Sequence, residues 1–200
     1  MTHQVVVKNI AKCEFLLGLA SLMVSTIGAE IFQHIHEKLA EIWVNLETMK
    51  AFLRAAEVDA QLDEWGVMRP AWAPLDAARN LFPRLYPRMV EIIQQIGASG
   101  LVAMPTEADV KGPLAEDIRK YYQAARAEAF DRIPLFRLAW DASISAFASR
   151  QVLYERFFFG DPVRMAGALV TGHNAQIQQY ADKVRSFVTQ NRDEAFAASS

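Results

Sequence analysis

The segment IHEKLAEIWVNLETMKAFLRAA, residues 35–56, carries the most regular pattern in the chain. Its apolar residues recur at alternating steps of three and four: Ile35, Leu39, Ile42, Leu46, Met49, Leu53 and Ala56. This spacing places them along one side of an α-helix, as in the seam of a helix bundle. Charged residues lie off this seam and solvate the opposite face. We therefore predict a long helix over residues 30–65 that packs against helices of similar length.

The segments on either side also favour helices. We predict helices over residues 9–26, 76–97, 113–123, 127–159 and 176–190. Gly28 should end the first of them, and Pro83 and Pro87 should bend or split the one over residues 76–97. Residues 97–100 are expected to form a tight loop, and residues 101–106 an extended segment. The predicted inward face of the helix over residues 127–159 consists of Phe136, Trp140, Ile144, Phe147, Gln151 and Tyr154.

These elements predict an all-α fold, since no segment has the alternation of a strand. The expected architecture is an antiparallel four-helix bundle with a short C-terminal helical appendage. The chain shows no internal repeat and no long linker, so we expect a single domain over residues 1–200.

Composition excludes several classes of protein. Hydrophobic residues make up 52% of the 200 residues and charged residues 22%, which excludes a disordered segment. Lys and Arg number 21 against 23 Asp and Glu, so a net charge of -2 does not favour nucleic acid as a partner. The single cysteine, Cys13, excludes an internal disulfide. A reducing compartment, and hence the cytoplasm, is the expected location.

An apolar run over residues 15–29 follows Lys8 and Lys12, as in a secretory signal peptide. Glu14 stands at the entrance of the run, and the run is shorter than the roughly 18–20 residues that span a bilayer. A buried helix is therefore the preferred interpretation, with no membrane partner, and a signal peptide stays as the alternative.

Common phosphate and nucleophile motifs are absent from the sequence: GxGxxG, Walker A and GxSxG. A di-iron bundle needs Glu-x-x-His on two helices, whereas His34, His36, Glu37 and Glu41 share one predicted helix in the opposite order. No metal site is predicted. The basic residues Arg69, Arg79, Arg84 and Arg88 favour a solvated or salt-bridged face, with phosphate contact as the alternative.

The stretch YERFFFGDPVRM, residues 154–165, predicts a helix end followed by a helix start. Gly160 suits a left-handed end, Asp161 suits an N-cap, and Pro162 suits a first turn. Three consecutive phenylalanines cannot all face one core, so at least one should contact a partner subunit, a domain or a planar ligand. A capping Asp161 would disfavour a phosphate at that helix terminus.

Four segments together resemble the 4-hydroxyphenylacetate 3-hydroxylase family. They are AKCEFLLG (residues 11–18), GAE (28–30), LVAMPTEADV (101–110) and the stretch from Ser149-Arg150-Gln151 to Arg164. The family consists of flavin-dependent monooxygenases related in fold to acyl-CoA dehydrogenases. The resemblance covers residues 5–188 and only the family's C-terminal helical domain. It implies a separate N-terminal helical and β-barrel portion as a further partner.

The resemblance implies part of an aromatic hydroxylase that uses reduced FAD from a separate flavin reductase. It implies a homo-oligomer, a dimer or a tetramer, whose core includes this bundle. The implied cofactor-side residues are Ser99, Gly100, Arg150, Gln151, Phe159, Gly160, Asp161 and Pro162. No catalytic acid or base can be assigned.

Two alternatives remain open at the level of sequence. The chain could be a non-catalytic helical oligomerisation module from a split or truncated gene. It could also resemble the 4-hydroxybutyryl-CoA dehydratase type, in which a His and a Cys at the start of this domain bind an iron–sulfur cluster. His3 and Cys13 invite that comparison, but their separation looks too long, and a buried inert thiol is expected instead.

Overall fold

The computed structural model describes the backbone of residues 1–197 and the side chains of residues 1–192. This described part is mostly helical and contains one two-stranded sheet, which confirms the predicted all-α class. The chain divides into two compact units, Met1–Phe159 and Gly160–Ser200, each described separately below. The single domain over residues 1–200 stays a prediction.

Three helices of 26 residues form the centre of the first unit: α1 (Thr2–Ile27), α2 (Gln33–Val58) and α3 (Trp72–Gly97). Each is about 39 Å long at 1.5 Å per residue, and all three pack against one another. The predicted seam of α2 is confirmed, because Ile42, Met49 and Ala56 are fully buried there. The predicted bounds were too late for α1 and too wide for α2. Gly28 ends α1 at a φ of 69°, as predicted.

Among the described helices, α1 alone is long and apolar enough to cross a membrane by length and composition. A core helix of a soluble protein passes the same test. Here α1 buries a continuous side that includes Val6, Cys13, Ala20 and Met23. This burial agrees with the predicted buried helix.

A short hairpin follows α2, whereas the sequence predicted helix up to residue 65 and no strand. Strands β1 (Gln61–Leu62) and β2 (Met68–Arg69) pair antiparallel. The Asp63 carboxylate accepts hydrogen bonds from the backbone N–H groups of Trp65 and Val67, at 3.0 and 2.9 Å. This turn competes with the helix for the same backbone groups and so ends α2 before it.

Pro83 and Pro87 do not split α3, which continues through both. The helix buries Phe82, Tyr86 and Met89 against the other long helices. This apolar burial outweighs the backbone hydrogen bonds that the prolines remove.

Three short helices follow α3. The helix predicted over residues 113–123 is confirmed as α6 (Ala115–Tyr121), whereas α4 (Ser99–Val102) and α5 (Glu107–Lys111) were not predicted. The predicted tight loop over residues 97–100 was wrong for Ser99 and Gly100, which belong to α4. Residues 101 and 102 are therefore helical rather than extended. The Thr106 side chain caps α5, and Asp109 bonds back to the Thr106 backbone N–H at 2.8 Å. This capping box starts α5, which ends at its C-cap Gly112 before α6 begins.

The predicted helix over residues 127–159 is two helices, α7 (Ala129–Ser143) and α8 (Ala146–Phe157). The Ser145 hydroxyl accepts the Ala148 N–H at 3.1 Å and starts the second helix. The break changes which residues face inward. Phe136, before it, is 1% exposed, whereas Phe147 and Tyr154, after it, are 60% and 44% exposed. The predicted inward face was therefore wrong beyond Trp140.

The second unit contains α9 (Pro162–Gly172) and α10 (Asn174–Ala197), which contact each other. Asp161 caps α9 and Pro162 occupies its first turn, as the sequence predicted. The helix predicted over residues 176–190 is α10, which is longer at both ends.

Candidate functional site

One side of α8 carries an open groove lined by rings and polar groups. A cavity of about 310 Å³ is lined by Phe147, Arg150, Gln151 and Tyr154. A second cavity, of about 350 Å³, is lined by Arg150, Leu153, Tyr154, Phe157 and Phe158. Because the two share Arg150 and Tyr154, we treat these seven residues as one feature, the α8 groove. Ring faces beside a guanidinium and an amide suit a planar ligand with polar or anionic groups.

A buried carboxylate lies beside this groove. The Glu155 side chain is 2% exposed and accepts hydrogen bonds from Lys8 Nζ at 2.7 and 2.8 Å. Lys12 Nζ donates to the same carboxylate, as does Gln151 Nε2 at 2.9 Å. We call these residues the Lys8–Lys12–Glu155 cluster. It joins α8 to α1 and fixes the amide of Gln151.

Aromatic rings enclose the two ammonium groups. Lys8 Nζ lies 5.2 Å from the Tyr154 ring centroid and 5.4 Å from that of Phe158, both of which line the groove. Lys12 Nζ lies 5.4 Å from the Tyr86 ring centroid. Burial lowers the pKa of Lys8, although its hydrogen bond to Glu155 opposes the shift. Burial also raises the pKa of Tyr86 to about 12, so its hydroxyl stays protonated at neutral pH.

Ser99 and Gly100 lie at the start of α4, where the backbone closely approaches α7. A Cβ on Gly100 would lie 3.0 Å from Phe136 Cε1 and 3.2 Å from Arg132 Nη2. The guanidinium of Arg132 stacks between the rings of Tyr122 and Phe136, 4.5 and 4.9 Å from their centroids. A side chain at this position would press on Phe136 and Arg132, so packing within the unit favours glycine whether or not a ligand binds.

Phe159 closes the first unit, with its ring edge-on to Phe158 at 4.9 Å and 5.7 Å from the Arg79 guanidinium. Gly160, in the second unit, has a φ of 111°, which favours glycine. The Asp161 carboxylate accepts the Arg164 N–H at 2.9 Å and so caps α9, ahead of Pro162. Its negative charge therefore stands at this helix terminus, as expected from the sequence.

The structure brings together only part of the predicted site. Arg150 and Gln151 line the α8 groove side by side. Within the described residues, no hydrogen bond or ring contact joins them to Ser99 or Gly100. The cofactor role of all eight residues stays a prediction.

Sequence reasoning missed several residues around the groove. Phe147 and Tyr154 were expected to face the core, and no role was assigned to Glu155, Lys8 or Lys12. The spacing held a usable signal, since Lys8 and Lys12 lie four residues apart, as do Gln151 and Glu155. What the spacing could not show is that these two pairs meet across the fold.

The arginines of α3 and its neighbourhood mainly form ion pairs. Arg88 Nε lies 2.8 Å from Glu41 Oε1, Arg79 pairs with Asp76, and Arg69 pairs with Asp63. The salt-bridged face is thus confirmed for these three. No group of three or more His, Cys, Asp or Glu side chains that could hold a metal ion occurs in the part of the chain that the structure describes.

His3 and Cys13 do not form a common ligand set. Both lie on α1, where ten residues correspond to about 15 Å along the helix axis. His3 Nε2 bonds Glu57 at 2.8 Å, whereas Cys13 is fully buried. Burial raises the pKa of the Cys13 thiol to about 12.

We expect Cys13 to resist thiol reagents in the folded chain. A neutral, buried thiol is neither accessible nor ionised, so Ellman's reagent at pH 8 should label less than about a tenth of the protein in an hour. Full labelling should follow in 6 M guanidinium chloride, which serves as the control. Rapid labelling of the native chain would show that α1 opens readily.

Comparison with known proteins identifies close relatives. The family model described as 4-hydroxyphenylacetate 3-hydroxylase C terminal matches residues 1–189. The 4-hydroxyphenylacetate 3-monooxygenase oxygenase component of Thermus thermophilus is 50% identical over 191 residues, which are 96% of this chain and 39% of that protein. A crystal structure of such an oxygenase component, complexed with FAD and 4-hydroxyphenylacetate, matches with a TM-score of 0.92 at 50% identity, over 96% of this chain and 40% of that one.

A more distant structure shares the fold. An archaeal 4-hydroxybutyryl-CoA dehydratase from N. maritimus matches with a TM-score of 0.75 at 19% identity, over 90% of this chain and 36% of that one. At this identity the match shows the fold alone. The chain spans about two fifths of the length of the Thermus thermophilus protein and of the oxygenase component solved with FAD.

Proposed function

This chain belongs to the 4-hydroxyphenylacetate 3-hydroxylase family, and we propose that it is the C-terminal part of the oxygenase component of a two-component aromatic monooxygenase. The whole enzyme would hydroxylate a phenol beside its existing hydroxyl group, with reduced FAD delivered by a separate reductase. The relatives' names and the FAD complex of a similar oxygenase component support this assignment.

The α8 groove would form one wall of the flavin site, and this groove is the observation that carries the proposal. Its cavities of about 310 and 350 Å³ suit one ring system of a dinucleotide rather than the whole molecule. The residues present fit the group, because Arg150 offers a guanidinium and Gln151 an amide beside four aromatic side chains. When bound, reduced FAD would supply the reaction with O₂ that delivers one oxygen atom to the phenol.

The chain's own residues would bind and shield rather than transfer protons. Arg150 would hold an anionic or carbonyl group of the flavin, and Phe147 and Tyr154 would cover a ring and exclude water. Gln151 would be held in place through its bond to Glu155. No catalytic acid or base is assigned to this chain.

The helix bundle and its exposed surfaces would serve the assembly of the whole enzyme. We propose that α1, α2 and α3, with α7 and α8 sharing the fourth position, make an antiparallel four-helix bundle in a single domain. The partners would be further copies in a dimer or tetramer, an N-terminal helical and β-barrel portion, and the reductase, all in the cytoplasm. Exposed apolar side chains outside the groove, such as Trp43 and Val44 on α2, which are 54% and 59% exposed, support such contacts.

We expect Arg150→Ala to weaken FAD binding about tenfold or more. A charge-assisted hydrogen bond contributes about 1.5–3 kcal/mol, and 1.4 kcal/mol corresponds to a factor of ten. The measurement is a titration of the chain with FAD, oxidised and then dithionite-reduced, followed by flavin absorbance and fluorescence. Arg84→Ala is the matched control, because Arg84 is exposed on α3 and lies outside the groove.

Equal affinity in the two variants would remove Arg150 from the flavin site. Failure of the unmodified chain to bind flavin in either redox state would favour the helical oligomerisation module instead.

A further inference from the structure

Helix α10 carries an apolar stripe that the described part of the chain leaves uncovered. Every residue of α10 from Asn174 to Arg192 is exposed to solvent. Five of these residues are large apolar side chains, which are 40–67% exposed: Ile177, Tyr180, Val184, Phe187 and Val188. Most of the stability of a helix in a protein comes from the packing of its apolar face. We therefore expect this stripe to be covered when the protein assembles.

The residues of this stripe follow the spacing of a coiled coil. Ile177, Val184 and Asn191 repeat every seven residues, at heptad position a. Tyr180 and Phe187 each follow an a position by three residues and so occupy position d. We call these five residues the α10 seam. β-branched residues at a are typical of two parallel strands, and a single Asn at a fixes the register and the number of strands at a cost in stability.

The residues that flank the α10 seam allow two copies of this helix to approach each other. Position e is occupied by Ala181 and Val188, and position g by Gln176, Lys183 and Gln190. In a parallel pair the g and e residues of the two copies face each other, so Lys183 meets an apolar side chain and no like charges meet. The other charged side chains between residues 174 and 192 occupy the outer positions b and f: Asp182, Arg185 and Arg192.

We propose that α10 pairs in parallel with α10 of a second copy of this chain along the α10 seam. The pairing is isologous, because both copies contribute the same stripe. Asn191 of one copy would face Asn191 of the other, where the two amides can bond across the pair. The inference rests on the homo-oligomer of the proposed function and names the surface that holds two copies together.

A charge placed in the α10 seam tests the pairing. Val184→Glu puts a carboxylate at position a in both copies, where pairing would bury two like charges side by side. We expect this variant to weaken self-association at least about a hundredfold in sedimentation equilibrium. Gln179→Glu is the matched control, because it adds the same charge at the outer position c of the same helix. It should change self-association less than about twofold.

Both substitutions leave packing within the chain intact, because every described residue of α10 is exposed. Thermal unfolding of each variant checks that the chain is folded. Asn191→Ile acts in the opposite direction, since it replaces the polar residue of the seam by an apolar one. It should strengthen self-association about tenfold. A general loss of structure would not produce the two opposite effects.

Directed cross-linking tests the parallel orientation. In a parallel pair the two Ile177 positions lie side by side, within the roughly 4.4–6.8 Å between Cα atoms that a disulfide spans. Ile177→Cys should therefore form a covalent dimer under mild oxidation, visible on a non-reducing gel. Gln179→Cys, at an outer position, should not. The native Cys13 is fully buried and serves as an internal background in both variants.

A chain that stays monomeric at about 100 μM would overturn the inference, as would self-association that Val184→Glu leaves unchanged. A covalent dimer from Gln179→Cys but not from Ile177→Cys would also overturn it.

Flavin titration of the same variants separates this inference from the proposed function. Self-association that follows the α10 seam in a chain that binds no flavin supports the inference and contradicts the flavin site. Flavin binding that depends on Arg150, in a chain whose self-association ignores the α10 seam, supports the flavin site and overturns the inference.

Discussion

Replacing Glu155 by alanine should lower the free energy of unfolding by about 3 kcal/mol. The substitution removes the carboxylate that pairs with both Lys8 and Lys12 and leaves two like charges in a partly desolvated place. It also removes the hydrogen bond that holds the Gln151 amide and the ion pairs that join α8 to α1. Breaking a buried ion pair costs about 3–5 kcal/mol. We expect a value at the lower end of this range because the two lysine side chains are partly exposed to water. Urea unfolding followed by circular dichroism measures it.

Glu107→Ala is the matched control for this prediction. Glu107 also bonds a lysine, Lys111, but their side chains are 79% and 74% exposed. An exposed pair contributes at most about 1 kcal/mol. If both variants lost the same stability, the buried cluster would not tie α8 to the core.

The second large effect is expected from Phe136→Ala, at about 3–5 kcal/mol of unfolding free energy. Phe136 is 1% exposed and belongs to the main apolar core. Its ring also contacts Arg132 and lies against Gly100, so the cavity would loosen the approach of α4 to α7. The same denaturant series provides the measurement.

Phe130→Ala, on the same helix, is the control for Phe136. The Phe130 side chain is 38% exposed and should cost about 1 kcal/mol on truncation. A loss at Phe136 no greater than that at Phe130 would contradict the packing of α7 on the core.

The long helices were predictable because their burial follows the helical period. Ile42, Met49 and Ala56 repeat at sevens, and the stretch between them contains no Gly or Pro that would end the helix. The start of α9 was also predictable, because its cap involves only residues close in sequence: Asp161 accepts the Arg164 N–H, and Pro162 lies in the first turn.

The groove was not predictable from the sequence, because it depends on the helix break at Ser145. Ser145 can lie within a helix or cap one, and its side chain here accepts the Ala148 N–H. The resulting break turns Phe147 and Tyr154 out of the core and into the groove. Helical periodicity continued across the break predicts the reverse, and only packing of α8 on α3 settles which face is buried.

Some site residues were identified from the sequence, and others became apparent only in the structure. Arg150 and Gln151 were identified through a resemblance, and both line the α8 groove, while their cofactor role stays a prediction. Gly100 was identified through the same resemblance, yet its closest neighbours are Phe136 and Arg132, which explain a glycine by packing alone. Lys8 and Glu155 are 147 residues apart in sequence, and no local pattern could connect them.

The most direct test of the central claim is to locate flavin on the chain. The ¹⁵N-labelled protein, at 22.5 kDa, suits amide chemical-shift mapping during titration with FAD. We predict that the largest shifts fall within residues 147–158, with smaller shifts around Lys8 and Lys12 and none on the outer face of α2. Saturable shifts that avoid residues 147–158 would contradict a flavin site at the α8 groove.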